Sequence, residues 1–355
     1  MADSDRDNAA RNAGPAPAWL GGVARSVSGV YERVVARRNR AWDLGRGVVT
    51  IDRPVISVGN LSVGGTGKTP TVAAIVGWLL DAGYSPAIAM RGYKSKGGVS
   101  DEAAEYASLF GSRVPVVAQP DRLEGLLRLF AQVGDSVDCV VLDDGFQHRR
   151  IARQLDVVLI DATRDPFVDA CLPAGWLREP VASLARADAV VLTHAEMVDA
   201  ETLMHLRKAI ARVCEARVAV ASHRWESLDV LIDGEEAQRP VEWLLDKRVF
   251  AACAIGNPAG FVNAARRAAG GHLSGEMVLR DHHAFDGPTV NRLIAAAAGS
   301  DAIVVTGKDW AKLSAVAADR WPCPVVRPRL SIGFVEGEGM LRDLVLGTAE
   351  IDVTP

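Results

Sequence analysis

The run Val55-Ile-Ser-Val-Gly-Asn-Leu-Ser-Val-Gly-Gly-Thr-Gly-Lys-Thr-Pro70 constrains this chain more than any other stretch. A short apolar segment of strand type leads into a glycine-rich turn, and the helical pattern Thr71–Leu80 follows at once. Glycine at 64, 65 and 67 lets the backbone curl until its N–H groups point at one anion. The N-terminus of the helix behind the turn adds its own positive end. Lys68 then reaches β- and γ-phosphates and the Thr69 hydroxyl suits Mg²⁺, as in a G-x-x-x-x-G-K-[ST] phosphate loop. Ser62 takes the first glycine position of that pattern. An ordinary tight turn is the plain alternative; strand, loop and helix in this order argue against it. Gly64, Gly65, Thr66, Gly67, Lys68 and Thr69 are read as nucleotide-binding residues.

A nucleotide loop needs an acid to hold its metal. Val137-Asp-Cys-Val-Val-Leu-Asp-Asp144 is an apolar run ending in two carboxylates. At the C-terminal end of a parallel strand such acids stand where ligands bind in open α/β sheets. Alone they suit a turn or a helix cap; with the loop, Asp143 and Asp144 read as metal-holding acids.

The surrounding pattern is parallel α/β. Short apolar runs at Val55–Val58, Ala87–Met90, Val114–Val117, Val137–Leu142, Val157–Ile160 and Ala189–Leu192 alternate with helical stretches. Nearly continuous apolar runs predict strands buried on both faces. Around residues 215–245 the texture changes: Val218–Ala221 and Leu228–Ile232 flank a polar stretch, read as a β-type linker. A second α/β set follows at Val249–Ile255, Met277–Leu279, Ile303–Thr306 and Val325–Val326.

Composition narrows the classes. The 355 residues carry 40 Lys and Arg against 44 Asp and Glu, a net charge of −4. A pI near 6.0 argues against a dedicated nucleic-acid binder. The five cysteines are scattered without a Cys-x-x-Cys pair, which fits reduced thiols rather than a zinc site or a disulfide scaffold. Residues 1–17 are polar, contain Gly and Pro, and read as a disordered tail without the pattern of a signal peptide.

Next comes a basic amphipathic stretch. Trp19, Val23, Val27, Val30, Tyr31 and Val34 recur at helical spacing, and residues 25–46 hold six arginines against two acids, a net +4. Arg25, Glu32 and Arg33 interrupt any apolar run long enough to span a bilayer. The spacing fits a helix lying in a membrane interface, and equally one packed on the core with a solvated basic face.

The loop leaves its purpose open between two classes. A switch ATPase of the partitioning or nitrogenase iron protein type also carries Gly-Gly-x-Gly-Lys-Thr, but Val63 stands where that class has a signature lysine. The other class is a kinase for a small acceptor. Gly59-Asn60-Leu61, Gly64 to Pro70, Arg91-Gly-Tyr93, Asp143-Asp-Gly-Phe-Gln-His-Arg-Arg150, Leu172-Pro-Ala-Gly-Trp-Leu-Arg-Glu-Pro180 and Asp281-His-His283 decide between them. From about residue 15 to about residue 335 the chain resembles the tetraacyldisaccharide 4′-kinases, the lipid A 4′-kinases of Gram-negative bacteria. Asp143 to Pro180 is the most specific part.

The resemblance implies ATP- and Mg²⁺-dependent phosphorylation of a lipid A disaccharide 1-phosphate at the cytoplasmic face of the inner membrane. No nucleic acid and no protein partner are implied. It also implies a fold similar to the one read above: a P-loop NTPase-like parallel-sheet domain and a second, smaller α/β domain, joined by a two-stranded β linker, with the site between them. The expected organisation is a tail over 1–17, a membrane-docking helix over 18–46, the kinase domain over 47–215, the linker over 216–245, the second domain over 246–335 and a C-terminal segment over 336–355.

Site residues carry over by position. Lys68 and Thr69 match the family's phosphate and Mg²⁺ ligands, and Asp143 and Asp144 its metal-site acids. Gln147 and His148 match its substrate or metal surround, and Arg178 and Glu179 an Arg-Glu pair near the site. Asp101 with Glu102 fits the position of the catalytic base, with His282 its partner. Arg122 is placed close to the acceptor. Arg91, Tyr93, Lys94 and Lys96 suit a clamp on the substrate 1-phosphate and equally a solvated loop. Three departures stand out: Ser100 and Ala103 replace a Gly and a Pro around the base, and Gly307 replaces a Glu in Thr306-Gly-Lys-Asp309.

Overall fold

The computed structural model describes residues 15, 20–92, 101–232, 234–256, 258–280 and 283–353, without the side chain of Asp101. In chain order the main elements begin with α1 (Gly21–Asp43), β1 (Val55–Asn60), α2 (Lys68–Asp81), β2 (Pro86–Met90), α3 (Asp101–Phe110), β3 (Val116–Ala118) and α4 (Arg122–Val133). They continue with β4 (Cys139–Asp143), β5 (Leu155–Asp161), β6 (Ala189–Thr193), α5 (Ala200–Ala211), β7 (Arg217–Ile232) and β8 (Glu235–Arg239). The last are β9 (Val249–Cys253), α6 (Pro258–Ala268), β10 (Gly275–Val278), α7 (Gly287–Ala296), β11 (Ala302–Val305), α8 (Gly307–Leu313), β12 (Val325–Glu336) and α9 (Glu338–Ala349). The chain forms two compact units. It leaves the first after His223, within β7, and returns to it at Ile332, within β12.

In the first unit the strands run parallel in the order β7-β6-β5-β1-β4-β2-β3. β1 is central, and Val58 stands beside Asp143 of β4. That register brings the turn leaving β1 and the acids ending β4 to the same edge of the sheet. Both faces are covered. Val72, Ile75, Val76 and Leu79 of α2, with Leu341 and Val345 of α9, share one core with Ile56, Val58 and Val141. Leu123 and Leu126 of α4 pack with Val55, Val140, Leu142 and Ile151 in another. Two-sided burial is why the strands read as unbroken apolar runs. Asp121 caps α4 by accepting from the Glu124 N–H at 3.1 Å, the local signal that starts that helix.

The second unit holds the parallel order β10-β9-β11-β12, with the later part of β7 paired antiparallel to β8 through Ile232 opposite Glu235. Its cores gather Phe250, Ala252, Leu293, Ile303 and Leu313, and separately Leu228, Val230, Leu244, Val249 and Val304. Where the sequence suggests two strands around a polar stretch, β7 is unbroken. His223, Trp225 and Ser227 are partly covered while Arg224 and Glu226 are exposed, so the polar stretch keeps the strand period of two. α6 begins at Pro258, one residue beyond Asn257, which lies outside the described residues.

Candidate active site

The phosphate loop is braced from below and from one side. Asn60, fully buried at the end of β1, donates from Nδ2 to the Ser62 carbonyl at 2.8 Å and to the Thr66 hydroxyl at 2.9 Å. Gln147 Nε2 holds the Asn60 carbonyl at 2.9 Å. The segment from Cys171 to Arg178 lies alongside: Val63 N–H donates to the Trp176 carbonyl at 2.8 Å, and Arg178 N–H to the Leu61 carbonyl at 2.7 Å. Gly67 precedes α2 at φ +82°, a left-handed turn that favours glycine. A side chain there meets the His223 ring at 2.4 Å.

The charged groups form a chain beside the loop. Lys68 Nζ pairs with Asp144 Oδ1 at 3.6 Å, and Arg178 reaches both Asp144 oxygens at 2.9 and 2.8 Å. Arg122, nearly buried at the start of α4, donates to the Asp144 carbonyl at 3.0 Å. Burial pushes the Asp144 carboxyl up, but Lys68 and Arg178 outweigh it and hold the group below its ordinary value. Asp144 itself sits at φ +54°.

Asp143 behaves differently. It is 3% exposed, and burial pushes its carboxyl up to about 6; Lys68 opposes this, while Glu102 and Asp144 add to it. The Tyr106 hydroxyl donates to its Oδ2 at 3.1 Å, and its Oδ1 is buried without a hydrogen-bond partner. A hard cation fits such an oxygen. Among the described residues no group of three or more His, Cys, Asp or Glu is placed to hold a metal. Two carboxylates and a hydroxyl beside a phosphate loop suit Mg²⁺, which keeps waters and takes phosphate oxygens.

The raised value at Asp143 has a stability consequence. The folded state keeps this proton up to about pH 6 while the unfolded chain releases it near 3.8, so the stabilisation present below 3.8 is lost as pH rises through 6. Above pH 6 the buried charge costs about 3 kcal/mol. Asp143→Asn should therefore raise the unfolding free energy without nucleotide by about that amount at pH 8, and by less than half of it at pH 4.5. Urea titrations at both pH values check this; an equal gain at both would remove the charge as its cause.

Other expected site residues fall in several places. Glu102 acts on Asp143 from the first turn of α3, whose first residue is Asp101. His148 is pushed down to about 4, first by burial and then by Arg122, Arg153 and Arg150, so its ring is neutral near pH 7. Arg91 is exposed just beyond β2. Glu179 is fully buried and turned to α1: its Oε2 accepts from Asn39 at 2.7 Å and from Arg186 at 3.0 Å. Tyr93, Lys94, Lys96, Ser100, Asp281 and His282 lie outside the described residues.

In the second unit, Thr306 caps α8 by accepting from the Asp309 N–H at 3.2 Å. Asp309, fully buried, accepts from the Ala254 N–H at 2.9 Å, and Lys312 donates to the His283 carbonyl at 3.0 Å. A Cβ at Gly307 meets nothing within 4 Å, so this departure leaves the cap intact. Two contributors have no role assigned from the sequence. Tyr106 has a signal, since it lies four residues after Glu102 and so shares its helix face. Asn60 stands in the Gly59-Asn60-Leu61 motif, which names the residue without its bracing role.

A glycine turn between a central parallel strand and a helix, with an acid pair ending the next strand, defines a phosphate-loop nucleotide-binding α/β protein. Comparison with known proteins narrows the class. The chain belongs to the tetraacyldisaccharide-1-P 4′-kinase (LpxK) family, whose family model matches residues 23–345. It is 35% identical over 323 residues to the tetraacyldisaccharide 4′-kinase of Geobacter sulfurreducens, covering 85% of this chain and 87% of that one. With the enzyme of the same name from Anaeromyxobacter sp. (strain K) it shares 36% over 334 residues, 86% of each chain. The crystal structure of LpxK from Aquifex aeolicus in complex with ATP matches with a TM-score of 0.70 at 28% identity, covering 93% of this chain and 99% of that one.

Proposed function

We propose that this chain is an ATP-dependent kinase that phosphorylates the 4′-hydroxyl of a tetraacyldisaccharide 1-phosphate, a lipid A precursor. The observation that carries the reading is the linked group Lys68, Asp144 and Arg178 beside the phosphate loop, in a chain matched to this family over residues 23–345. Val63 at the signature-lysine position speaks against the switch ATPase. The test is incubation with ATP and the disaccharide 1-phosphate. One phosphate added to the lipid supports the kinase; ATP hydrolysis without a phosphorylated lipid refutes it.

The residues divide the work. The loop amides from Gly64 to Thr69 cradle the phosphates, and Lys68 neutralises charge on the transferring group. Thr69, Asp143 and Asp144 would hold Mg²⁺, which when bound neutralises phosphate charge and orients the terminal group. Arg178 and Arg122 fix Asp144 from its side chain and its backbone. Asp101 is the acceptor of the hydroxyl proton and His282 its partner, a reading that rests on the family resemblance; the start of α3 at Asp101 fits a helix cap as well. Arg91, Tyr93, Glu102, Gln147 and His148 surround the acceptor on the same resemblance. Glu179, with its partners on α1 and Arg186, anchors the helix.

The same reading places α1 on the cytoplasmic face of the inner membrane. No helix among the described residues is long and apolar enough to cross a membrane. Val23, Val27, Val30 and Val34 form one stripe along α1 and are 48–61% exposed. Beside it lies a groove of about 540 Å³ lined by Arg33, Arg37, Arg40 and Arg46 with Leu44. Apolar side chains suit the acyl boundary, and each arginine near an anionic surface adds about 1 kcal/mol. Flotation with vesicles containing phosphatidylglycerol should fall as salt rises from 0.05 to 0.5 M, since screening shortens the reach of those charges. It should be lost when all four valines become serine. Undiminished flotation of that variant at both salts leaves α1 a structural helix.

A further inference from the structure

One half-buried cluster beside the loop has no part in the chemistry above. β5 ends at Asp161, β6 at Thr193, and β7 carries His223. Asp161 Oδ1 accepts from the Thr163 N–H at 2.9 Å and hydroxyl at 2.7 Å, and pairs with His194 Nδ1 at 3.3 Å. His194 stands at φ +56°, in the left-handed region that non-glycine residues rarely occupy. Its ring stacks on His223, with centroids 4.2 Å apart and planes 25° from parallel. The far edge of His223 lies against Gly67: its Nε2 and Cε1 are 2.4 and 2.6 Å from the position of a Cβ there. The His223 N–H donates to Glu196 Oε2 at 3.1 Å, and its Nδ1 is buried without a hydrogen-bond partner. One residue back along the loop, the Thr193 hydroxyl donates to the Thr66 carbonyl at 3.0 Å.

The electrostatics agree with a fixed stack. Burial, and then His194, push His223 down to about 3, so its ring is neutral. Burial pushes His194 down, but the bond and charge of Asp161, with Glu196, raise it overall against Arg164. An imidazole drawn toward a carboxylate thus presses its face on a neutral one.

We propose that His223 is a positioning residue of the phosphate loop: clamped by His194 and through it by Asp161, its ring closes the outer side of the Gly67 turn and holds the loop in the conformation that receives the triphosphate. The physical need is specific. A glycine at φ +82° has more alternative conformations than any other residue, and ordering it on binding weakens affinity. A rigid ring against its Cα removes those alternatives beforehand. The proposal rests on the reading that this loop binds ATP.

The experiment is isothermal titration of the full chain with MgATP, alongside steady-state kinetics. His223→Ala should raise Kd about tenfold, and KM for ATP with it, while kcat falls less than about threefold. His223→Gln, whose flat amide reaches as far and still stacks on His194, should recover Kd to within about threefold. His194→Ala should weaken binding as His223→Ala does. Leu293→Ala, a core cavity in the second unit, should lower Tm with Kd unmoved, which separates the effect from general destabilisation. Wild-type Kd in His223→Ala overturns the proposal, as does a loss in kcat alone. If His223→Ala does not fold, His194→Ala and His223→Gln decide it: equal and unperturbed Kd in both overturns it. Failure of the wild-type chain to bind MgATP is a separate result that refutes the nucleotide reading itself.

Discussion

Lys68→Ala is expected to fold as the parent does and to turn over at least about 10²-fold more slowly. Phosphoryl transfer depends almost wholly on positioning and on charge aimed at the transferring group, so a lost cation is felt in the transition state. The fold should survive because Asp144 keeps Arg178 at 2.8 Å when Lys68 is gone. The loss should appear in kcat more than in KM, and Lys68→Arg should not restore it, since a planar fork does not replace a compact ammonium. Near-normal turnover by folded Lys68→Ala removes this residue from the chemistry.

Asp101→Ala should cost about 10²- to 10⁴-fold in kcat with little change in KM for ATP, the range for a lost general base. A sugar hydroxyl is a poor nucleophile at neutral pH, and a carboxylate that accepts its proton makes it a better one. If His282 acts through Asp101, His282→Ala lowers kcat as well, and the double variant is hardly worse than the worse single one. Multiplicative losses mean two independent roles. A harmless Asp101→Ala leaves Asp101 as a residue that only begins α3.

Local signals made much of this molecule legible. Strands buried on both faces cannot be amphipathic, so β1, β2, β4, β5 and β6 were visible as apolar runs, and the turn from Gly64 to Gly67 announced its own conformation. What stayed hidden depends on distant partners. Tyr106 meets Asp143 across 37 positions, and Glu179 meets Asn39 across 140. An Arg-Glu pair in a motif looks like one functional unit, yet Arg178 faces Asp144 while Glu179 faces α1. His223 reads as one histidine in a polar stretch; its contact with Gly67 exists only once β7 lies beside β6.

The way α1 is attached decides how its exposed face is best probed apart from its buried one. Trimming the helix is the obvious route, but its inner face is wired into the site wall: the Tyr31 hydroxyl donates to the Arg178 carbonyl at 2.8 Å and the Ser28 hydroxyl to the Cys171 carbonyl at 2.6 Å. Removing it would also strip Asn39 from the Glu179 carboxylate, leaving Arg186 as its partner, and a lost hydrogen bond to a charged group costs about 1.5–3 kcal/mol. A truncated chain that lost activity would therefore say nothing about membranes. Repainting Val23, Val27, Val30 and Val34 with polar side chains leaves that wiring whole, so the surface and the scaffold of α1 can be edited separately.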